Sequence, residues 1–327
     1  MDAQGRKVAV AWLSVLSNTS LVAGKLVIGL LIGSVSVISE AIHSGVDLVA
    51  AVIALFAVKT SHKLADEDHP FGHGKVENIS GTVEALLIFL AAGWIIYEAI
   101  HKLLNPQPIE GVGWGVGVML ASSVMNIIVS EMLFRVGRET DSVALQADAW
   151  HLRTDVYTSA GVMVGLTLLL AGERFLPGTN LLWLDPVAAI AVALLIVHAA
   201  WRLTVESGRD LLDVSLPAAE IAWIQEVLRT FGPAVRGFHH LRTRKAGSER
   251  FVELHLVVDK DLTVEQSHRM SDAVTRSIKA HLPGSAVTIH VEPCDGSCRP
   301  ACVEGCLLPA AEQAAMQARR GSAPPTR

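Results

Sequence analysis

Six stretches of this 327-residue chain run for about 20 residues or more as predominantly apolar sequence with few charges: 8–32, 36–58, 79–100, 112–134, 143–172 and 183–204. A helix needs roughly 20 predominantly apolar residues to cross the hydrocarbon core of a bilayer. Backbone polar groups inside that core must be satisfied within the segment, so the six stretches are read as membrane-spanning α-helices. The first starts near the N-terminus, but its apolar part is too long for a cleavable signal peptide and no A-x-A-like site follows, so it counts as a true span. Lys and Arg gather in alternate connections: Arg6 and Lys7; Lys59, Lys63 and Lys75; Arg135 and Arg138; Arg202 and Arg209. The other connections carry only Lys102 and Arg174. The positive-inside rule then places both termini in the cytoplasm.

The chain is 51% hydrophobic but 18% charged, and the charge is densest after about residue 205. Three parts follow: a transmembrane domain over 1–207, a small soluble domain over 208–295, and a Cys-containing tail over 296–327. Within the soluble part, 217–231 reads as an amphipathic helix, 235–245 and 251–259 as strands, 263–282 as a helix with Thr263 as N-cap, and SAVTIHVEP as a third strand. The α-β-β-α-β order predicts a small α+β domain with helices on one face of a sheet. Beyond about 308 the Ala/Gln/Pro/Arg-rich tail is expected to be disordered. Gly24, Gly29 and Gly33 in the first span, and the GVGWGVG opening the fourth, predict close helix approach. A net charge of −5 gives no reason to expect nucleic acid as a partner.

Two spans carry the same polar pattern. EAIHSGVDLVA holds Glu40, His43 and Asp47, and DAWHLRTDVYT holds Asp148, His151 and Asp155 at the same offsets. An ionisable side chain in a span costs roughly 2.5–3.5 kcal/mol on insertion scales, so its presence asks for a reason. His and Asp one turn apart share a helix face and make half a metal site. Two such helices face to face supply a His₂Asp₂ set, suited to the tetrahedral N/O coordination of Zn²⁺. The bland alternative, a polar clasp such as Asp47 with Arg153, does not explain the repetition. Glu40 and Asp148 read as acceptors for the imidazole N–H, as entry-path charges, or as ordinary lining of a wet cavity.

The loop run DEDHPFGHGK adds Asp66, His69 and His73; Pro70 and Gly72 argue against a continuous helix there, leaving a loop metal site or a solvated acidic loop. In the soluble domain His239 and His240 end one strand, His255 lies in the next and His290 in the third, with His268 on the long helix. These are candidate metal ligands or structural histidines. Cys294, Cys298, Cys302 and Cys306 recur every fourth residue and form either a soft Zn or Cu(I) site or a redox-exposed tail. A cytoplasmic location makes disulfides between them unexpected.

Together HSGVD, HLRTD, DEDHPFGHGK, HHLRTR, ELHL and TIHVEPC resemble the cation diffusion facilitator family over about residues 6–294. The resemblance implies a homodimeric divalent metal/proton antiporter of the zinc type, with six spans and a ferredoxin-like cytoplasmic domain. It also implies residence in the lipid of a bacterial inner membrane. It makes His43, Asp47, His151 and Asp155 the transport site, and Asp66, His69 and His73 the loop site. His239, His255, His268 and His290, with Glu292 as the acid of the third strand, become a cytoplasmic metal site at the dimer interface. Many relatives have Asp where this chain has His43, and often Asp where it has His240. A Lys75–Asp213 salt bridge that steadies the dimer is a further implication. Zn²⁺ is the expected substrate, with a structural or regulatory role at the other sites, and no organic cofactor is expected. Fe²⁺, Mn²⁺, Cd²⁺ and Co²⁺ are the alternative substrates. A non-transporting membrane metal sensor is the rival class. An enzyme is not expected: the H-E-x-x-H of a metalloprotease is missing from the sequence.

Overall fold

The computed structural model describes residues 2–32, 35–105, 113–175, 183–296 and 300–321. The chain divides into two compact units, Met1–Leu211 and Leu212–Arg327. Among the described residues the first holds six long helices: α1 (Ala3–Ile32), α2 (Val35–Ser61), α3 (Lys75–Leu104), α4 (Gly113–Glu139), α5 (Val143–Phe175) and α6 (Leu184–Leu211). Among the described residues, α1, α2, α3, α4 and α6 contain stretches long and apolar enough to cross a membrane. The helices outrun the apolar stretches at several ends, because polar residues continue a helix once its backbone leaves hydrocarbon.

The bundle interior is built from small side chains. Ala11, Ala51, Ala57, Ala144 and Ala149 interleave with Val58, Leu133, Leu145 and Leu152 where α1, α2, α4 and α5 meet. Ala85, Ala92, Ala147 and Ala200 surround Ile88 and Ile196 between α3, α5 and α6. Large apolar groups such as Leu31, Phe56, Trp94 and Leu195 point outward, as lipid-facing side chains do. The expected close approach at Gly24 is not found: a Cβ there would meet nothing within 4 Å. The tight crossings use Gly81, where a Cβ would lie 2.6 Å from Ser207 Oγ of α6, and Gly161, where it would lie 2.6 Å from Val192 Cγ2. Gly33 lies outside the described residues.

One end of the bundle is pinned by a buried ion pair. Lys7 Nζ of α1 donates to Glu77 Oε1 of α3 at 3.1 Å. The same carboxylate accepts from Ser61 Oγ at the end of α2 at 2.9 Å and from Ser142 Oγ just before α5 at 2.5 Å. Glu77 is fully buried. A buried charge survives only when paired and hydrogen-bonded, and here three donors from three segments share that task.

The second unit contains α7 (Ala218–Thr230), β1 (Val235–Ala246), β2 (Glu249–Val258), α8 (Val264–His281) and β3 (Ser285–Pro293), followed by α9 (Pro300–Glu304) and α10 (Ala310–Gly321). β1 and β2 pair antiparallel, β2 and β3 parallel, in the order β1-β2-β3. Val252, Leu254, Leu256 and Val258 of β2 form one core with Ile224 and Leu228 of α7 and Val274 and Ile278 of α8. Helices on one face of a three-stranded sheet match the predicted α+β domain. Thr263 caps α8 as expected, in a reciprocal capping box with Gln266.

The tail departs from the expectation of disorder. Ala310–Gly321, rich in Ala with two Gln and two Arg, is helical, in keeping with the high helix propensity of those residues. Residues 305–307 lie along the free edge of β1: Phe238 N–H donates to Gly305 O at 3.0 Å and Leu307 N–H to Arg236 O at 2.9 Å. This strip covers a sheet edge that would otherwise expose unpaired backbone groups.

Candidate metal centres

The i,i+4 spacing on α2 and α5 produces a reciprocal cross. His151 Nε2 of α5 contacts Asp47 Oδ1 of α2 at 3.1 Å. His43 Nε2 of α2 lies 3.9 Å from Asp155 Oδ1 of α5. Each helix thus offers its histidine to the other's carboxylate. Ligand atoms of His43, Asp47 and Asp155 all lie within 4.8 Å of one another. His151 is outside that trio, but its Nε2 is held on Asp47. Asp47 and His151 are buried, while His43 opens into a cavity of about 160 Å³ also lined by Ser44, Ser122, Asn126, Thr158 and Ser159. Asp155 Oδ2 and Asn126 Oδ1 are buried without a hydrogen-bond partner. Such orphaned acceptors suit a cation better than they suit one another. Arg153 is turned away from Asp47 and bonds Ser130 at 2.9 Å and Glu131 at 2.7 Å, so the Asp47–Arg153 clasp does not form.

Lys25 is the residue here that sequence reading passed over. It lines the same cavity, is buried, and donates to Ser44 Oγ at 2.8 Å. A lysine in an apolar run was the available signal. Asp148 is fully buried on α5, with both carboxylate oxygens lacking a hydrogen-bond partner. The Glu40 side chain lies outside the described residues.

In the loop between α2 and α3, Asp66 gathers both histidines. Its Oδ1 is 3.1 Å from His69 Nδ1 and its Oδ2 is 3.3 Å from His73 Nε2. The turn that does this is local: His69 N–H donates to Asp66 Oδ1 at 2.7 Å and Gly72 N–H to His69 O at 2.9 Å, with Gly72 at φ 79°. A positive φ costs glycine little, which is why it sits there. The His69 backbone N–H, ahead of the His69 and His73 side chains, holds the Asp66 carboxyl below its ordinary range. The three residues form a ligand set with atoms within 4.8 Å.

In the second unit the period-2 alternation puts one residue set on the face away from the helices. His239 pairs with His255 and His255 with His290 in register, giving a row of histidines across three strands. Their rings stand 5.1 and 4.8 Å apart. Glu292 ties the row together: it meets His255 Nδ1 at 2.8 Å, His239 Nε2 at 3.1 Å and His290 Nε2 at 3.5 Å. Burial pushes the Glu292 carboxyl up, but the His255 hydrogen bond and the charges of His239 and His255 outweigh it and hold the group below its ordinary range. His239, His255 and Glu292 form the compact ligand trio.

Two placements differ from the sequence grouping. His240 should face the core by strict alternation, yet its ring is 4.7 Å from that of His239 and 5.0 Å from that of His255. A register irregularity between His239 and Arg242, with His240 at φ 52°, turns it back to the histidine face. His268 is not brought to the row within one chain. It sits on α8, whose buried side packs on the opposite face of the sheet, and is exposed beside Asp272 at 3.5 Å. The cysteines are also dispersed. Cys294 follows β3, Cys302 lies in α9, and Cys306 bridges Gly237 at the edge of β1. None of these three joins a cluster of three or more ligand side chains among the described residues, and Cys298 lies outside those residues. The Asp213 carboxylate lies 3.5 Å from Arg244 of β1, and Lys75 Nζ donates to the Leu211 carbonyl at 3.5 Å.

Comparison with known proteins finds matches to both units of the chain. The cation efflux transmembrane domain family matches residues 11–212, and the cation efflux protein cytoplasmic domain family matches 216–294. An uncharacterized transporter of Synechocystis is 37% identical over 261 residues, covering 80% of this chain and 82% of that protein. The cation-efflux pump FieF of Salmonella newport is 33% identical over 262 residues, covering 80% and 84%. A solved structure of CzrB in its Zn form is 41% identical over 26% of this chain and 96% of that one, with a TM-score of 0.24. With both domains matched in order along nearly the whole chain, this integral membrane protein belongs to the cation efflux family, the cation diffusion facilitators.

Proposed function

We propose that the chain exports Zn²⁺ from the cytoplasm in exchange for protons, through His43, Asp47, His151 and Asp155. The reciprocal cross between α2 and α5 supports this reading, because His43, Asp47 and Asp155 line one cavity and the fourth residue, His151, contacts Asp47. Two nitrogen and two oxygen donors suit Zn²⁺, and also Cd²⁺, Co²⁺ or Fe²⁺, better than Mn²⁺, which favours oxygen. Metal and protons compete for imidazole nitrogen and for carboxylate oxygen. A site facing the more acidic side therefore gives up its metal and takes protons, and one facing the cytoplasm does the reverse.

The protein works in this reading as a homodimer in a bacterial inner membrane, with both termini cytoplasmic. The second unit and the loop trio then act as structural or regulatory Zn²⁺ sites on the cytoplasmic side. The histidine row of one chain lacks His268, so any contribution of His268 has to come from the second copy. A pure metal sensor would need only these outer sites, and the intramembrane cross weighs against it.

The test is transport by the purified full-length protein in proteoliposomes under an imposed pH gradient, run with Zn²⁺, Cd²⁺, Co²⁺, Fe²⁺ and Mn²⁺ in turn. The expected result is gradient-dependent uptake with Zn²⁺ among the best substrates. Metal binding without flux for every ion would favour the sensor.

A further inference from the structure

Helices α3 and α5 carry a second buried polar group that the metal-ligand reading does not use. Gly81 of α3 meets Val143 of α5, and one turn on Ala85 and Ala147 share a core cluster. The two helices therefore run in register, which brings Glu84 and Asp148 into electrostatic reach of each other. Both are fully buried. Ser80 Oγ donates to Glu84 Oε1 at 3.2 Å, but Glu84 Oε2 and both oxygens of Asp148 have no hydrogen-bond partner. Ser14 Oγ on α1 is the hydroxyl placed to reach Asp148, while Ser207 Oγ on α6, fully buried, faces Gly81. Buried carboxylate oxygens are left unpaired only rarely, so Glu84 Oε2 and Asp148 ask for a further partner.

The charges around the pair narrow what that partner is. α2 contributes Asp47, α5 contributes His151, and α3 contributes Glu77 two turns away, already matched with Lys7 of α1. α6 turns Ala200, Leu203 and Ser207 inward, with no charge among them. Two fully buried carboxylates within electrostatic reach of each other do not readily both stay ionised, and the usual resolution is one proton held between them.

We propose that Glu84 and Asp148 together hold one proton, and that this proton leaves when a divalent cation enters the cavity at His43, Asp47, His151 and Asp155. The coupling is electrostatic: two positive charges arriving beside Asp47 favour the ionised form of the pair. On metal release the pair takes a proton back. Ser80 and then Glu77 succeed Glu84 at one-turn steps along α3, and lead to the Lys7 end of the bundle. This inference rests on the proton-exchange reading and supplies it with a proton carrier that is not a metal ligand.

The test is the number of protons released per Zn²⁺ bound, measured by calorimetry of the full-length protein in two buffers of different ionisation enthalpy. Subtracting the Asp155→Ala variant isolates the intramembrane event. Glu84→Gln and Asp148→Asn should each release about one proton fewer per metal than wild type. In proteoliposomes without a pH gradient, Zn²⁺-for-Zn²⁺ exchange by Glu84→Gln should stay within about threefold of wild type, since exchange needs no net proton movement. An unchanged proton count in both variants overturns the proposal. So does loss of exchange together with Zn²⁺ binding in Glu84→Gln, which would make it a ligand or a structural group. A wild-type count of zero instead defeats proton exchange itself, and is read before any variant is compared.

Discussion

Replacing Glu292 with Gln keeps the shape of the side chain and removes its charge, at the one point where three histidines meet. Glu292 accepts from His255 at 2.8 Å and from His239 at 3.1 Å. Hydrogen bonds to a charged group contribute about 1.5–3 kcal/mol each in protected settings. The Glu292 side chain is 35% exposed, so screening reduces the metal-free cost to about 1 kcal/mol in total. Metal binding should suffer more. Removing a group that merely orients a ligand weakens a site about 10–100-fold, and Glu292 is one of three ligands in the compact trio. The expected loss at this site is at least that large, or about 1.4–2.8 kcal/mol. The assay is Zn²⁺ titration of the full-length chain against a competing chromophore, on a background carrying Asp155→Ala and Asp66→Ala to silence the other sites. An affinity within twofold of the parent would refute the assignment. The pH dependence gives a second check. A carboxyl whose folded value is depressed contributes stability above its ordinary value, about 4.3, and loses it as pH falls through the folded value. Wild type and Glu292→Gln should therefore differ in hydrogen-exchange protection of β2 and β3 at neutral pH, and converge only in acid below that range.

Two further substitutions test the frame around the sites. Lys7→Met leaves Glu77 buried with only its two serine donors, and should destabilise the membrane unit by about 3–5 kcal/mol in detergent unfolding; Lys7→Met with Glu77→Gln should recover most of it. A neutral single substitution would show that the pair is not what pins that end. Gly305→Ala puts a Cβ against the Phe238 carbonyl, so it should lift the 305–307 strip off β1 and raise hydrogen exchange at the Phe238 amide. Unchanged protection there would mean that the strip does not depend on the close approach.

The intramembrane cross was legible in the sequence because i,i+4 spacing fixes a helix face and polar groups in spans need partners. Asp66, His69 and His73 were legible for a related reason, since Pro70 and Gly72 dictate a turn that folds the run back on itself. The histidine row followed from strand alternation, and His240, a candidate ligand that the family resemblance left out of the site, joins that face because an irregularity breaks the alternation. His268 was grouped with the row because sequence does not say which side of the sheet a helix covers. Ala310–Gly321 was read as disordered from its composition, which overlooked the helix propensity of its run of Ala, Gln and Arg. The Glu84–Asp148 pair depends on the register of α3 against α5, set by Gly81 and small alanines, and that packing is not written in either helix alone.

The central claim is that metal and protons exchange at the cross between α2 and α5. Its most direct test is simultaneous recording of Zn²⁺ uptake and internal pH in proteoliposomes carrying wild type, Asp47→Ala or Asp155→Ala. Wild type should couple the two fluxes, and each variant should lose both while remaining monodisperse and folded. Undiminished Zn²⁺ uptake in either variant would contradict the account.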